Sequence, residues 1–506
     1  MNDRRTDLLL AAAVFLGAAA YFASFQPWTR PVILDAATWD YMAVETSRGL
    51  VPYRDVFLHK TPGAALLGAA GAAVGSAMGA EPVLAAHALF LLLGALAPVL
   101  MFLLCRASAL PRAAALAVAV SLLAFDEWPI AALEGCRPKV PTVVFGLAAL
   151  LAAERRAALA ASFFGGVSVL CWQPGLAFLL GAWVVLVKNG ERSPRRLVAM
   201  AAAAMVPAAL LLAGLGLAGA LGDFFEQAVL FNLHYIEDKA RTPFGTLKAL
   251  ARSLGNWNQV ELLLAPAAVA GLWLGRRARP GAFPLSLAVS GAIYTAMTFV
   301  SFQSWPDAIL LGPIVAGILG IGLHGLLAAG LAPRVAATLA LVVLALAALP
   351  DDKPKFHPSV GFEVQRARFL AVAEGLRPDD TVVGVSVPEF FLHSGRRNGW
   401  KWPYLWFGVD DFAADHHPAG FRGILEDLEA DPPAMILVAR LWAGPQRALF
   451  EAWAARLYDV RTERVFPHLR RPLRVYTLKS RAAARQETRD RYRLRSAQPV
   501  PVPGFQ

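Results

Sequence analysis

The sequence predicts a polytopic α-helical membrane protein followed by a small α/β domain, and three observations carry that prediction. The 506 residues are 57% hydrophobic and only 17% charged, with a mean hydropathy of +0.49, more apolar than a soluble chain. Apolar runs suited to a bilayer core of about 30 Å recur from Leu8 to Leu349 and then stop. The basic residues between these runs gather in alternate short loops, as the positive-inside rule requires.

The first run, 8–26, follows Arg4 and Arg5. A cleaved signal peptide also has a basic start, an apolar body and small residues. An uncleaved helix is preferred, because the apolar stretch continues past any cleavage point and many helices follow. Further helices are expected near 84–104, 113–125, 140–153, 158–171, 174–188, 197–219, 259–275, 284–301, 306–327 and 332–349, roughly eleven in all. Arg106 and Arg112, Arg155 and Arg156, Lys188 with Arg192, Arg195 and Arg196, then Arg276, Arg277, Arg279 and Arg334 occupy alternate loops. This places the N-terminus and those loops in the cytoplasm. It places 27–83, 126–139, 220–258, 302–305 and everything after 350 on the outer side of a cell membrane. The apolar stretch 158–188 is too long for one span, and "CWQPG" interrupts it. It reads as a tight outward hairpin turning at Pro174 and Gly175; one long kinked helix is the rival and inverts everything downstream.

After residue 350 the periodicity changes. "FEVQRARFLAVAEGL", "FRGILEDLEA" and "PQRALFEAWAARL" have helical spacing, while "TVVGVSV", "PAMILVAR" and "LRVYTLK" read as strands. The predicted organisation is a membrane domain over 1–350, an extracytoplasmic α/β domain over 351–480 and a disordered basic tail over 481–506, which has no apolar face to bury.

Several classes are excluded by composition and motif. The formal net charge of +11 is spread over short loops and a tail rather than interleaved with aromatics on one face, so no nucleic-acid partner is expected. Cys105, Cys136 and Cys171 are far apart and show neither a disulfide framework nor metal-ligand spacing. There is no phosphate-binding loop ending in Gly-Lys-Ser/Thr and no HExxH, and "GVSVP" is not a nucleophile elbow. A secondary transporter places ionisable residues within its helices, whereas these helices are mostly Ala, Leu and Val.

The charges collect in the outer loops instead. "LDAATWDYMAVETSRGLVPYRDVFLHKTPG", residues 34–63, carries Asp35, Asp40, Glu45, Arg48, Asp55, His59 and Lys60. Ala36, Trp39, Met42, Ala43, Thr46 and Leu50 recur at helical spacing, so 37–49 reads as an amphipathic helix on the outer membrane surface. Asp35 stands just before it and has two readings: an N-cap, or a carboxylate placed for acid-base chemistry at the bilayer surface. Lys60 can hold a phosphate as a point charge, and Tyr53, Asp55 and His59 are further candidates in the same loop.

An Asp just after the first transmembrane helix, a helix ending in "RGLVPYRD", and "HKTPG" leading into an apolar segment together resemble the first outer loop of the GT-C membrane glycosyltransferases, the group that includes lipid A aminoarabinose transferase and protein O-mannosyltransferase. The likeness is strongest over 30–75. It implies a catalytic carboxylate at Asp35, a Lys60 that contacts the phosphate of a polyprenyl-linked sugar donor, and inversion at the sugar carbon. Ala36 stands where the family often has a second acidic residue, which leaves a divalent metal undecided, and Lys60-Thr61-Pro62 replaces the usual Lys-Pro-Pro. In the second outer loop, Glu134 and Arg137 resemble the family's Glu followed by Arg-Pro. That makes Glu134 a second catalytic candidate and Arg137 and Lys139 candidates for the donor phosphate; the alternative is that these residues only mark the membrane boundary.

Three further stretches stay open. "FFEQAVLFNLHYIEDKARTPFG" reads either as a surface helix covering a lipid-tail groove or as a plain loop helix. Trp305 and Asp307 read either as interfacial residues or as sugar contacts. "HSGRRNGWKWPYLW", with Arg397 and Trp400, reads either as a sugar-binding patch or as a packing patch. The expected function is transfer of a sugar from a polyprenyl-phosphate carrier to an envelope glycan, glycolipid or protein at a bacterial inner membrane, with no cofactor required. A transporter, a flippase, a scaffold and a binder that does not turn its ligand over are the alternatives.

Overall fold

A computed structural model describes residues 3–123, 127–234, 283–300, 309–318, 361–406, 408–440, 444–463 and 472–479. The expected helices 259–275 and 332–349, most of 306–327 and the tail 481–506 lie outside these residues. The chain divides into two compact units. One comprises Met1–Trp28, Met42–Arg54 and Leu58–Pro354; the other comprises Thr29–Tyr41, Asp55–Phe57 and Lys355–Gln506.

The first unit is helical: α1 Asp3–Ser24, α3 Gly63–Ala77, α4 Pro82–Ala107, α5 Arg112–Leu123, α6 Glu127–Leu133, α7 Lys139–Glu154, α8 Ala158–Cys171, α9 Leu176–Lys188, α10 Pro194–Leu217 and α11 Phe283–Val300. Helix α2, Leu34–Ser47, begins in the second unit and ends in the first. Among the described residues, three helices are long and apolar enough to cross a membrane: Asp3–Thr29, Pro82–Ala107 and Pro194–Leu217. α4 is the centre of the bundle, packed against α1, α3, α5, α6 and α7. Accordingly, 61% of its apolar window is buried against 17% for α1 and α10, whose leucines, such as Leu16 and Leu210, face outward. Outward leucines cost nothing in hydrocarbon, where helices associate by close packing of small residues rather than by escape from water.

The ends of the helices sort as the charge pattern requires. Asp7 of α1 pairs with Arg106 at the end of α4 (3.1 Å) and with Arg112 at the start of α5 (2.6 Å), so these three termini share one end of the bundle. The hairpin expected at 158–188 is formed. α8 ends at Cys171, a 3₁₀ turn covers Gln173–Gly175, and α9 runs back with Trp183 Nε1 donating to Ser162 Oγ (3.0 Å).

Two expectations about the first outer segment are corrected. The stretch 27–83 also contains an apolar helix that was not among those expected, α3, packed along α4. α2 starts at Leu34, so Asp35 lies inside its first turn rather than before it, where a carboxylate is favoured by the helix dipole without being the cap. Nor is α2 an amphipathic helix with one polar face in water: Asp40 and Glu45 are 0% and 2% exposed, and Glu45 is held by Arg48 at 2.8 Å.

The second unit contains a four-stranded sheet in the order β1-β2-β4-β3, with β1 Val382–Val385, β2 Met435–Val438, β3 Tyr458–Glu463 and β4 Leu473–Leu478. β1 and β2 are parallel and fully buried, as expected of a Val-rich parallel pair covered on both faces. β4 is antiparallel to β2 and to the edge strand β3. Helices α12 Phe362–Ala373, α13 Pro388–Ser394, α14 Val409–Asp415, α15 Gly420–Ala430 and α16 Pro445–Leu457 complete the unit.

Candidate functional site

Lys60 is half-buried, and the backbone of the residues leading to it is held from several directions. The Tyr53 hydroxyl donates to the Lys60 carbonyl at 2.8 Å. Tyr53 is fully buried, sits edge-on to Phe224 (5.1 Å between centroids), and has φ +71, a left-handed backbone that an aromatic residue adopts only when its surroundings enforce it. Burial raises its phenol well above the ordinary tyrosine range, so this group is a fixed donor rather than a base. The enforcement comes from the short helix Leu221–Phe224 and the π-helical turn Phe225–Leu230. There Gln227, 2% exposed, donates to the Tyr53 carbonyl (2.8 Å) and accepts from the Leu58 N–H (3.0 Å). Asn232 donates to the carbonyl of His59, and Arg54 to that of Ala218. Thus the stretch from 221 to 234, which sequence left open between a groove cover and a plain loop helix, braces the backbone of residues 53–59.

The turn around Cys136 packs against α3, the helix that follows Lys60. Gly68 of α3 lies where an added Cβ would be 2.7 Å from the Cys136 sulfur, and Gly63 where it would be 2.6 Å from the Leu170 carbonyl oxygen. Only glycine permits both approaches, which set the start of α3 against the Cys136 turn and against the end of α8. One residue beyond α8, Trp172 carries the Lys139 ammonium 5.3 Å from its ring centroid, a cation–π contact. Glu134 Oε2 lies 3.3 Å from Arg137 Nη2, with the two side chains 17% and 11% exposed. Lys60, Glu134, Arg137 and Lys139 all belong to the first unit, where Glu134 holds the Arg137 guanidinium and Trp172 carries the Lys139 ammonium. Cations held in this way suit an anion.

Asp35 and Asp55 are exposed and belong to the second unit. There the backbone of Val32 is paired with the Gln365 side chain, which accepts from the Val32 N–H (2.9 Å) and donates to the Val32 carbonyl (2.8 Å). The Tyr41 hydroxyl accepts from the Asn398 N–H at 3.0 Å, and the Phe57 N–H donates to the Lys401 carbonyl at 2.8 Å. Phe57 packs on Trp402, Tyr404 and Phe412. The aromatic stretch 393–406 is thus engaged with 29–41 and 55–57, with Arg397 left exposed and Trp400 half-buried. Trp305 and Asp307 lie outside the described residues.

Gln227, Asn232, Trp172 and Gln365 escaped sequence reasoning, because neutral amides and a lone indole give no pattern by themselves. The only available signal was a Gln and an Asn inside an otherwise apolar run. Cys105, Cys136 and Cys171 are buried, and among the described residues they form no disulfide. Among the described residues no group of three His, Cys, Asp or Glu side chains could hold a metal ion.

No protein-family model matches the chain, and no curated protein matches it in sequence. Its fold, however, is similar to that of ArnT from Cupriavidus metallidurans, solved bound to undecaprenyl phosphate, with a TM-score of 0.56 at 14% identity over 94% of this chain and 98% of that one. It is also similar to the oligosaccharyltransferase of Archaeoglobus fulgidus, solved with zinc and sulfate, with a TM-score of 0.50 at 13% identity over 89% of this chain and 72% of that one. The fold is that of the GT-C membrane glycosyltransferases.

Proposed function

We propose that this membrane protein transfers a sugar from a polyprenyl-phosphate-linked donor to an acceptor hydroxyl or amine on the outer face of a bacterial inner membrane. The observation that supports the reading is that the helical unit holds its candidate cations in fixed settings: Lys60 on a braced turn, Arg137 against Glu134 and Lys139 over Trp172. A lipid phosphate presents its charge at headgroup level, where fixed cations can meet it. The GT-C fold raises the prior for such a donor by analogy.

In this reading the acceptor's heteroatom attacks the sugar carbon, its proton passes to the carboxylate that the sequence resemblance assigns as base, Asp35, and the carbon–oxygen bond to phosphate breaks with the electron pair leaving on the lipid phosphate. Lys60 and Arg137 stabilise that charge as it develops. A positioned base is worth roughly 10²–10⁴-fold. Glu134 keeps the guanidinium oriented, and the Thr61 hydroxyl, buried and without a hydrogen-bond partner among the described residues, is a further donor beside Lys60.

The full chain in lipid nanodiscs, offered a panel of polyprenyl-phosphate sugars, tests the reading by release of free polyprenyl phosphate under mass spectrometry. Turnover of one donor that depends on Lys60 and Asp35 supports it. Movement of the intact donor across vesicle membranes without cleavage overturns it in favour of transport.

A further inference from the structure

The second unit contains more than the C-terminal domain: Thr29–Tyr41 is folded into it, and that segment carries Asp35. A contact three residues before Asp35 is unusual in its completeness. Gln365, fully buried, meets Val32 as a neighbouring β-strand would, accepting from its N–H and donating to its C=O. This pairing fixes which end of the amide is oxygen, and Gln365 Oε1 also lies 2.8 Å from His393 Nε2, so the histidine must be the donor there. His393 is in turn wedged between Phe362 (4.7 Å between centroids) and Phe369 (5.9 Å) and is 5% exposed. On the far side of Asp35, Tyr41 is held by Asn398, whose side chain pairs with both backbone groups of Gly384 in β1.

The chain is therefore gripped three residues before Asp35 and six residues after it, by groups rooted in α12, α13 and β1. A helical turn tethered at both sides cannot rotate or slide, whereas an exposed side chain on an untethered turn samples positions several ångströms apart. We propose that the C-terminal domain is the scaffold of the Asp35 turn, with Gln365 as a positioning residue that sets the register of that turn and His393 as the group that holds Gln365. This rests on the role assigned to Asp35 above and gives the C-terminal domain a task in catalysis.

Gln365→Met keeps the volume and removes all three hydrogen bonds; Gln365→Glu keeps the two acceptor contacts and loses only the donor to the Val32 carbonyl. Tyr458→Phe, which strips the hydroxyl donor from the Pro433 carbonyl, perturbs the same domain without touching 29–41. With the full chain in nanodiscs, we measure kcat, KM for the donor, folded fraction, and hydrogen exchange of residues 32–37. Gln365→Met is expected to lower kcat on the order of 10- to 100-fold, the cost of a mispositioned group, with donor KM within about twofold and exchange of 32–37 accelerated. Gln365→Glu should recover part of the loss, and Tyr458→Phe should change neither kcat nor that exchange. Wild-type kcat in folded Gln365→Met, or a loss matched by Tyr458→Phe, overturns the proposal. If the wild type turns over no donor, the functional reading fails. The exchange arm then decides the scaffold by itself: unaltered protection of 32–37 in Gln365→Met overturns it, and lost protection sustains it.

Discussion

Replacing Gln227 by Met tests how the first outer loop is held. The side chain closes the stretch 53–58 by two hydrogen bonds to backbone groups that are themselves buried, the Tyr53 carbonyl and the Leu58 N–H. Met preserves most of the volume and supplies neither partner. Leaving a buried backbone group unpaired costs about 1–3 kcal/mol, so the ordered loop should lose roughly 2–6 kcal/mol relative to a loosened one. Lys60 lies two residues beyond Leu58 and depends on the same loop through the Tyr53 hydroxyl. Every ~1.4 kcal/mol of that loss transferred to donor binding weakens it tenfold. Donor KM, measured in nanodiscs, should rise at least about tenfold, with faster hydrogen exchange over 53–60 and the helical bundle intact. A KM within twofold of wild type, with unchanged exchange over 53–60, refutes the bracing role of the 221–234 stretch.

Other consequences follow from the same geometry. Lys60→Ala and Arg137→Ala should each raise donor KM by about 10- to 100-fold, the worth of a charge-assisted contact of 1.5–3 kcal/mol, while Arg397→Ala, exposed on the other unit, should leave it unchanged; titration of the donor distinguishes the cases. His393 has its pKa lowered from 6.5 to about 4 by burial and by the nearby Arg366, and its Nδ1 is buried with no hydrogen-bond partner among the described residues. The unfolded chain therefore binds the extra proton between pH 6.5 and 4, and stability is full above that window and lost as pH falls through it. The loss amounts to about 3 kcal/mol for a shift of this size. Thermal unfolding of the second unit, followed by tryptophan fluorescence, should show a falling midpoint below pH 6.5, with a shallower fall in His393→Gln.

The parts that were legible in the sequence were those written in one-dimensional patterns. The 158–188 hairpin was readable because some thirty apolar residues exceed one span and Pro174-Gly175 breaks them. β1, β2 and β4 were readable as Val-rich and alternating runs. β3, "YDVRTE", was missed because an edge strand with one buried residue in six positions has almost no pattern. α3 was missed because fifteen residues of mostly Gly and Ala are too short for a lone span, and their purpose, close approach at Gly63 and Gly68, depends on partners distant in sequence. The same applies to Asp40 and Glu45: a carboxylate on a helix reads as solvent-facing until tertiary structure covers it. The candidate site divides likewise. Asp35, Lys60 and Arg137 stand out by charge and position, while the neutral amides that hold their backbones do not.

The most direct measurement is made in the native host. The gene is deleted, polyprenyl-phosphate sugars and envelope glycans are profiled by mass spectrometry, and the deletion is complemented with wild type or with Asp35→Asn at matched expression. The account predicts that one carrier-linked sugar accumulates and one glycan substituent disappears, and that only wild type restores both, since a base removed costs roughly 10²–10⁴-fold. Full complementation by Asp35→Asn, or a deletion that leaves every carrier-linked sugar at its normal level, contradicts it.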